Sequence, residues 1–393
     1  MCINDKCGGS EPTDAPLSSD VPLVDTQHLP DGTPACVLAW SGVQRYFDPC
    51  TLPAPMGDLD LVSNGVTPGY ILHTDSGMLF DRSSMTQVAI ATMTNPTDGA
   101  LIVSVSSLEI ESGASLRIDG PVPIEIASWS TIGIDGLLDV GGHHIFNNSG
   151  AGSNPSTCVD GANGADGDAT DGAGGGGGAG GNQVGGTGGN GGVGPGGLHG
   201  SIEQGTPTIV QGGCNGGKGG MGGGNQSFNG SGGGAVHLDA ATSITISGTI
   251  NASGSGGKGG FAPYGGGGGG GSGGYIGLEA PNVTAMSTAI IVTNGGAGGG
   301  GADDVTGNGS PGQDGQLTTS AALGGPRGTV DPCGSDGGNG GYVQANGGVP
   351  VLATTTCGGG GGGGATGYLI KISGNFSALN GSIISPSPKP PND

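Results

Sequence analysis

The chain has 393 residues, 98 of them glycine, and nine Lys and Arg against 31 Asp and Glu, a formal charge of −22. Glycine adds no side chain to a core and loses the most backbone entropy on folding, which excludes one large conventional core. No long G-X-Y register runs through the glycines, which excludes collagen. So acidic a chain also lacks the basic face that nucleic acid or an anionic membrane requires; its charge fits solubility, cationic surfaces or calcium.

Residues 1–34 are acidic and rich in Pro and Ser, the composition of a disordered tether. Residues 35–69 read as a small cap in which Trp40, Tyr46 and Phe47 lie between Cys36 and Cys50. From residue 70, short apolar runs (GYILHTD, GMLF, TQVAIATM, ALIVSVS) broken by Asp, Gly and Asn read as strands joined by turns. Across 108–140 an apolar-x-apolar pair recurs every eight residues: Leu108/Ile110, Leu116/Ile118, Ile124/Ile126 and Ile132/Ile134, with Leu138/Val140 after six. Alternation places both members of a pair on one face. Eight residues suit a short strand and a tight corner, and three such sides make a rung of about 24 residues in a parallel β-helix. An antiparallel meander would satisfy the same alternation.

The stretch 124–142 (IEIASWSTIGIDGLLDVGG) returns 112 residues later as 236–254 (VHLDAATSITISGTINASG), with looser copies at 276–295 and 370–384. The expectation is a mainly β chain: a parallel β-helix, or β-solenoid, beginning at 70–142 and resuming over 236–384. Glycine-rich insertions would separate its rungs at 143–235, 255–275 and 296–369, and a Pro-rich tail would follow at 385–393. The unequal insertions favour this reading over the meander, because a solenoid tolerates loops at its corners. The expected core ladder is Ile124, Ile126, Ile132, Ile134, Val236, Leu238, Ile244, Ile246, Ile276, Leu278, Ile370 and Ile372. The residues between the paired apolar positions (Glu125, His237, Gly277 and Lys371) are expected to face solvent, as are Asp135 and Asp139. Two readings of the insertions stand open. One is flexible linker. The other is a bundle of extended polyglycine helices, whose amides are satisfied only by side-by-side packing.

The order SGASLRIDG, PIEIAS, IGIDG and then GGGGGGSGGYIGLEAP resembles a group of glycine-rich exported bacterial proteins. That resemblance covers roughly 100–384 and implies a surface or secreted β-solenoid, with no catalytic residues to carry over. The glycine tracts are similar in composition to polyglycine bundles of certain phage adhesins and small antifreeze proteins.

Eight cysteines (Cys2, Cys7, Cys36, Cys50, Cys158, Cys214, Cys333 and Cys357) form no C-x-x-C pair and no zinc-type cluster with histidine. Disulfides in an oxidising compartment, paired between sequence neighbours, are the expectation. Cys2, beside the tether, offers a weaker alternative as a lipid-anchored residue. No run of about 18 apolar residues is present to span a membrane. For metal, Asp160, Asn163, Asp166, Asp168 and Asp171 place several oxygen donors in one glycine-rich loop, which makes a candidate calcium site. They depart from the D-x-D-x-D-G pattern, and Asp and Asn are also ordinary turn formers. Thus either no cofactor or calcium is expected. His143, His144 and His199 read as exposed loop residues. Polysaccharide-active β-helix enzymes need carboxylates converging from neighbouring rungs, and the aligned positions force no two acids together. Thr242 and Thr245 align with Ser130 and Gly133 rather than with a threonine rank, so ice binding would have to run through the glycine lobe. The expected function is non-enzymatic: an exported structural or adhesive protein of the cell surface or matrix, with surface components or glycans as partners. A secreted polysaccharide-active enzyme and an ice-binding protein are the alternatives.

Overall fold

The structure, a computed structural model, describes residues 47–144, 149–168, 170–202, 207–330, 333–343, 347–350 and 356–391. The tether and most of the cap, with Cys2, Cys7, Cys36, Trp40 and Tyr46, lie outside the described residues. After a 3-10 turn at Pro49–Thr51 come β1 (Leu59–Leu61), β2 (Tyr70–His73), β3 (Met78–Asp81), β4 (Thr86–Val88) and β5 (Ala91–Thr94). The eight-residue alternation then produces β6 (Leu101–Val105), β7 (Leu108–Ile110), β8 (Ser115–Asp119), β9 (Ile124–Ser128), β10 (Thr131–Ile134) and β11 (Leu137–Asp139). The later copies supply β12 (Ala235–Ala240), β13 (Ser243–Ile246), β14 (Thr249–Asn251), β15 (Tyr275–Ala285), β16 (Ile290–Val292), β17 (Tyr368–Ala378) and β18 (Ile383–Ser385).

These strands make two sheets. One has the order β1-β7-β10-β13-β15-β12-β9-β6-β5 with β17 beside β15; the other runs β18-β16-β14-β11-β8-β2-β3-β4. Strands β6-β7-β8, β9-β10-β11 and β12-β13-β14 are successive triplets, and each member pairs in parallel with its counterpart in the next. Strand β15 pairs with β12 through its first half and with β13 through its second, which curls the first sheet into a half-barrel. Among the described residues, antiparallel pairing is confined to β2-β3-β4 and β5-β6. The chain is thus mainly β and rich in parallel pairing, and the meander does not describe the repeats.

The 112-residue repeat is a register. Ile124 pairs with Val236, Ile126 with Leu238, Ile132 with Ile244 and Ile134 with Ile246, and all eight are buried in one core. Ile276 and Leu278 continue it. Each such side chain, fully buried, contributes about 1.5–3 kcal/mol relative to exposure. At the corners Gly248 sits over Gly136, where a Cβ on either would overlap a backbone carbonyl of the turn beneath.

Two expectations need correction. Ile370 and Ile372 are buried, but in a second cluster with Val210, Ala235, Tyr275 and Tyr368. Strand β17 is shifted by one residue from the assumed alignment: Leu369, not Ile370, pairs with Ile276, and a one-residue shift sends alternate side chains to the opposite face. Lys371 accordingly pairs with Leu278, and its Nζ lies 5.2 Å from the centre of the Phe376 ring. Glu125 and His237 do not face solvent; both are wholly buried, because the back of this sheet is also covered. Asp139 is half-buried, whereas Asp135 is exposed as expected.

The glycine insertions pack into one lobe. Along residues 174–179 the amides donate in rotation: Gly174 and Gly177 to Ala165 and Ala162, Gly175 and Gly178 to Gly189 and Gly186, and Gly176 and Ala179 to Gly267 and Gly270. Their carbonyls accept in the same rotation, from Gly220 and Gly217, from Gly197 and Gly200, and from Gly362 and Ala365. Every third residue therefore meets the same neighbour, and this segment is ringed by six others drawn from all three insertions. A Cβ at Gly175, Gly176 or Gly178 would overlap a neighbouring carbonyl oxygen, so glycine is required there by close approach. Disulfides Cys158–Cys214 and Cys333–Cys357, with Cα atoms 5.4 and 5.6 Å apart, lie in this lobe. Cys50 is also disulfide-bonded. Among the described residues, no helix is long and apolar enough to cross a membrane.

Candidate functional site

The acidic loop that suggested calcium is laid out along one bundle segment. The side-chain oxygens of Asp160, Asn163 and Asp166 accept from the amides of Asn215, Lys218 and Met221, at 3.0, 2.8 and 2.8 Å. In an extended chain rising about 3.1 Å per residue, positions three apart stand ~9 Å apart. A calcium ion binds oxygens at about 2.3–2.6 Å and cannot gather them. Asp168 instead accepts from the amide and hydroxyl of Thr170, and the Asp171 carboxylate lies against Gly192. The three-residue spacing is the repeat of the lobe itself, with Asp and Asn on its rim bonding a neighbour's backbone.

Where the lobe meets the strands, a cleft of about 270 Å³ opens between His143, His144, Asn215, Phe228, Ser255 and Lys258. Strand β11 supplies Asp139 and the third insertion supplies Asp314. His143 Nε2 is 2.8 Å from Asp139 Oδ2, and its Nδ1 is 3.8 Å from Asp314 Oδ2. His144 Nδ1 is 2.8 Å from Asp314 Oδ1, and its backbone amide also donates to that carboxylate. Behind them, buried Arg117 is 3.1 Å from Asp139. Lys258 Nζ donates to the His144 carbonyl at 2.7 Å. The bonds to Asp139 and Asp314 push His143 up to about 9 against the effect of burial, so it is an imidazolium at neutral pH. Burial raises Asp139 and Asp314, but the histidine bonds outweigh it, aided by Arg117 at Asp139 and the Gly256 amide at Asp314, and both stay below the usual carboxylate range. Arg117, His143 and Lys258 thus gather positive charge around two carboxylates in a strongly acidic chain. His143 and His144 are not freely exposed loop residues. His199, by contrast, makes a local contact with the Gly200 carbonyl.

A second polar group lies on the back of the first sheet, opposite the Ile ladder. Glu125, His237, Asp239 and Glu279 project there from β9, β12 and β15, all buried. Asn95 Nδ2 donates to both Glu125 oxygens at 3.2 Å. Burial first, then the Asp98 charge, pushes Glu125 up to about 8. Burial and the charges of Glu279 and Glu125 hold Asp239 well above the usual range. His237 Nδ1 is 3.2 Å from Tyr275 Oη, and Nε2 is 3.2 Å from Glu279 Oε2. Gly277, opposite His237 in register, leaves the room: a Cβ there would overlap the imidazole.

The sequence reading missed Asp314 and Lys258, which reach the cleft from distant insertions and carry no local signal. Asp239 and Glu279 could have been found. They hold the same position in the second and third copies (HLDA and GLEA), and pair directly in register. No protein-family model, curated protein or solved structure matches the chain.

Proposed function

We propose that the protein is an exported, non-enzymatic structural or adhesive protein: a parallel β-helix bearing a polyglycine II lobe that presents a rigid contact surface outside the cell. The observation that carries this reading is the six-neighbour hydrogen bonding of residues 174–179, which binds all three insertions into one body. Inside such a lobe there is room for few side chains beyond small ones such as Ala179 and Ser272, so most large ones emerge at its rim and joints. Val159, Val193, Leu198, Phe228, Val305 and Val330 are exposed there. Many small contacts from a preorganised surface suit multivalent adhesion to cell-surface or matrix components, because little conformational freedom is lost on binding. Disulfides within the lobe fit an oxidising compartment.

Protease shaving of intact source cells, followed by binding of the purified protein to those cells and to their isolated matrix, tests the proposal. Removal from intact cells, and saturable binding weakened by Leu198→Asp and Val330→Asp, is expected. A reduced protein confined to the cytosol would overturn it. The second reading, a secreted polysaccharide-active enzyme, is favoured by the cleft, where an imidazolium lies between two carboxylates beside an exposed aromatic ring. Turnover of a neutral or acidic polysaccharide, lost in Asp314→Asn, would establish that reading in place of adhesion.

A further inference from the structure

We propose that His237, Asp239 and Glu279 form a buried structural site for a divalent transition cation of the Zn2+ or Mn2+ class, clamping strand β12 to strand β15. One ligand atom from each of the three lies within 4.8 Å of the others. Donors about 2.1 Å from an ion in tetrahedral arrangement stand roughly 3.4 Å apart, and the 3.2 Å between His237 Nε2 and Glu279 Oε2 matches that spacing.

The second observation is what the carboxylates lack. Asp239 is 2% exposed and Glu279 3%, yet Asp239 Oδ2 and Glu279 Oε1 have no hydrogen-bond partner among the described residues. A buried polar atom left unbonded costs about 1–3 kcal/mol, and more when it is charged. Glu279 forms an ion pair with His237 through its other oxygen. A dication held by neutral imidazole and two carboxylates makes the group electrically neutral and engages the free oxygens. The histidine is oriented for this role. With Nε2 on the ion, the proton stays on Nδ1, 3.2 Å from Tyr275 Oη, which accepts it as an outer-shell partner. Gly277 provides the space for that ring.

The donor set decides the ion. Ca2+ takes six to eight oxygens and has no preference for imidazole, whereas an N,O,O set suits Zn2+ or Mn2+. With no open face to solvent, the site is structural, and it pins two adjacent strands at the point where the second insertion returns to the sheet.

Because a closed site fills during folding, the test is refolding of the untagged, disulfide-intact full chain, with chelator or with Zn2+, Mn2+, Co2+ or Ca2+. Elemental analysis, thermal melting and the Co2+ absorption spectrum are the readouts. The expected result is about one equivalent of Zn2+, Mn2+ or Co2+ retained through gel filtration, a raised melting temperature, no response to Ca2+, and a Co2+ spectrum of nitrogen and oxygen ligation. Asp239→Asn with Glu279→Gln should abolish both retention and the metal-dependent rise. Tyr275→Phe should weaken binding roughly 10–100-fold, the usual effect of losing an outer-shell partner. Asp160→Asn with Asp166→Asn should bind as the parent does. Refolding to the same melting temperature with and without metal, with no metal retained, would overturn the proposal. So would metal retention that survives the Asp239/Glu279 double substitution.

Discussion

In the strand region Ile132 rests between Leu108 and Ile244, and the interior is filled by side chains stacked from strand to parallel strand. In the glycine lobe Gly176 donates to Gly267 and accepts from Gly362, and the interior is filled mostly by backbone, with a few small side chains such as Ala179 and Ser272. The two regions exclude water by opposite means. One needs large apolar groups at alternate positions, and the other needs residues without a Cβ at successive positions, as at Gly174 to Gly178. A charge placed in the ladder is buried without a partner, whereas in the lobe even a methyl group overlaps a neighbouring carbonyl.

The largest effect should come from charge in the ladder. Ile244→Asp buries a carboxylate against Ile132 and Val283, and the cost should exceed about 4 kcal/mol, enough to abolish the cooperative melt of the strand region. Next is bulk in the lobe. Gly175→Ala drives a methyl group into the Gly360 carbonyl, for a loss of roughly 1–3 kcal/mol in chemical denaturation. Gly374→Ala, on an exposed part of β17, should cost several-fold less. A similar loss, roughly 2–4 kcal/mol, is expected for Cys158→Ser with Cys214→Ser, which opens a closure spanning 56 residues. If the two regions melt separately, this variant should shift the lobe transition and leave the strand transition in place.

A smaller effect belongs to the joint. His143 is raised to about 9 from its ordinary 6.5 by Asp139 and Asp314. A raised pKa means that the folded state binds the proton more tightly. Its stabilisation is complete below about pH 6.5 and is lost as pH rises through 9. Melting temperature should therefore fall between pH 7 and 10 in the parent and be flatter in His143→Asn. The smallest effect is at Asp135, exposed and bonded to the Ser247 hydroxyl. Asp135→Ala should change stability by less than about 0.5 kcal/mol.

Much of the strand region was legible because its signal is local and repeated. The pairs at 124/126 and 132/134, with their echoes at 236/238 and 244/246, fix alternation, spacing and partner together. The signal failed at 370–384, where the run LIKI fits either register. Only pairing against Ile276 placed Leu369 inward. It failed again at Glu125 and His237. Alternation says that these residues face away from the ladder, but not whether that face is covered, and here Asn95, Tyr275 and Val210 help to close it. At the cleft the sequence showed two histidines and an unremarked aspartate 170 residues away.

By itself, the sequence determined a mainly β chain with short alternating strands, a stacked Ile, Val and Leu core, and glycine tracts confined between the repeats. Those properties follow from residue type and period, which act over a few residues. The tertiary structure decided that the three insertions form one lobe, and that His143 meets Asp139 and Asp314. It also brought His237, Asp239 and Glu279 together behind the sheet. A polyglycine segment has no side chains to name its neighbours and no internal hydrogen bonds to hold it. Its partners are therefore set by where the strands release and recapture the chain, and no local pattern can record that.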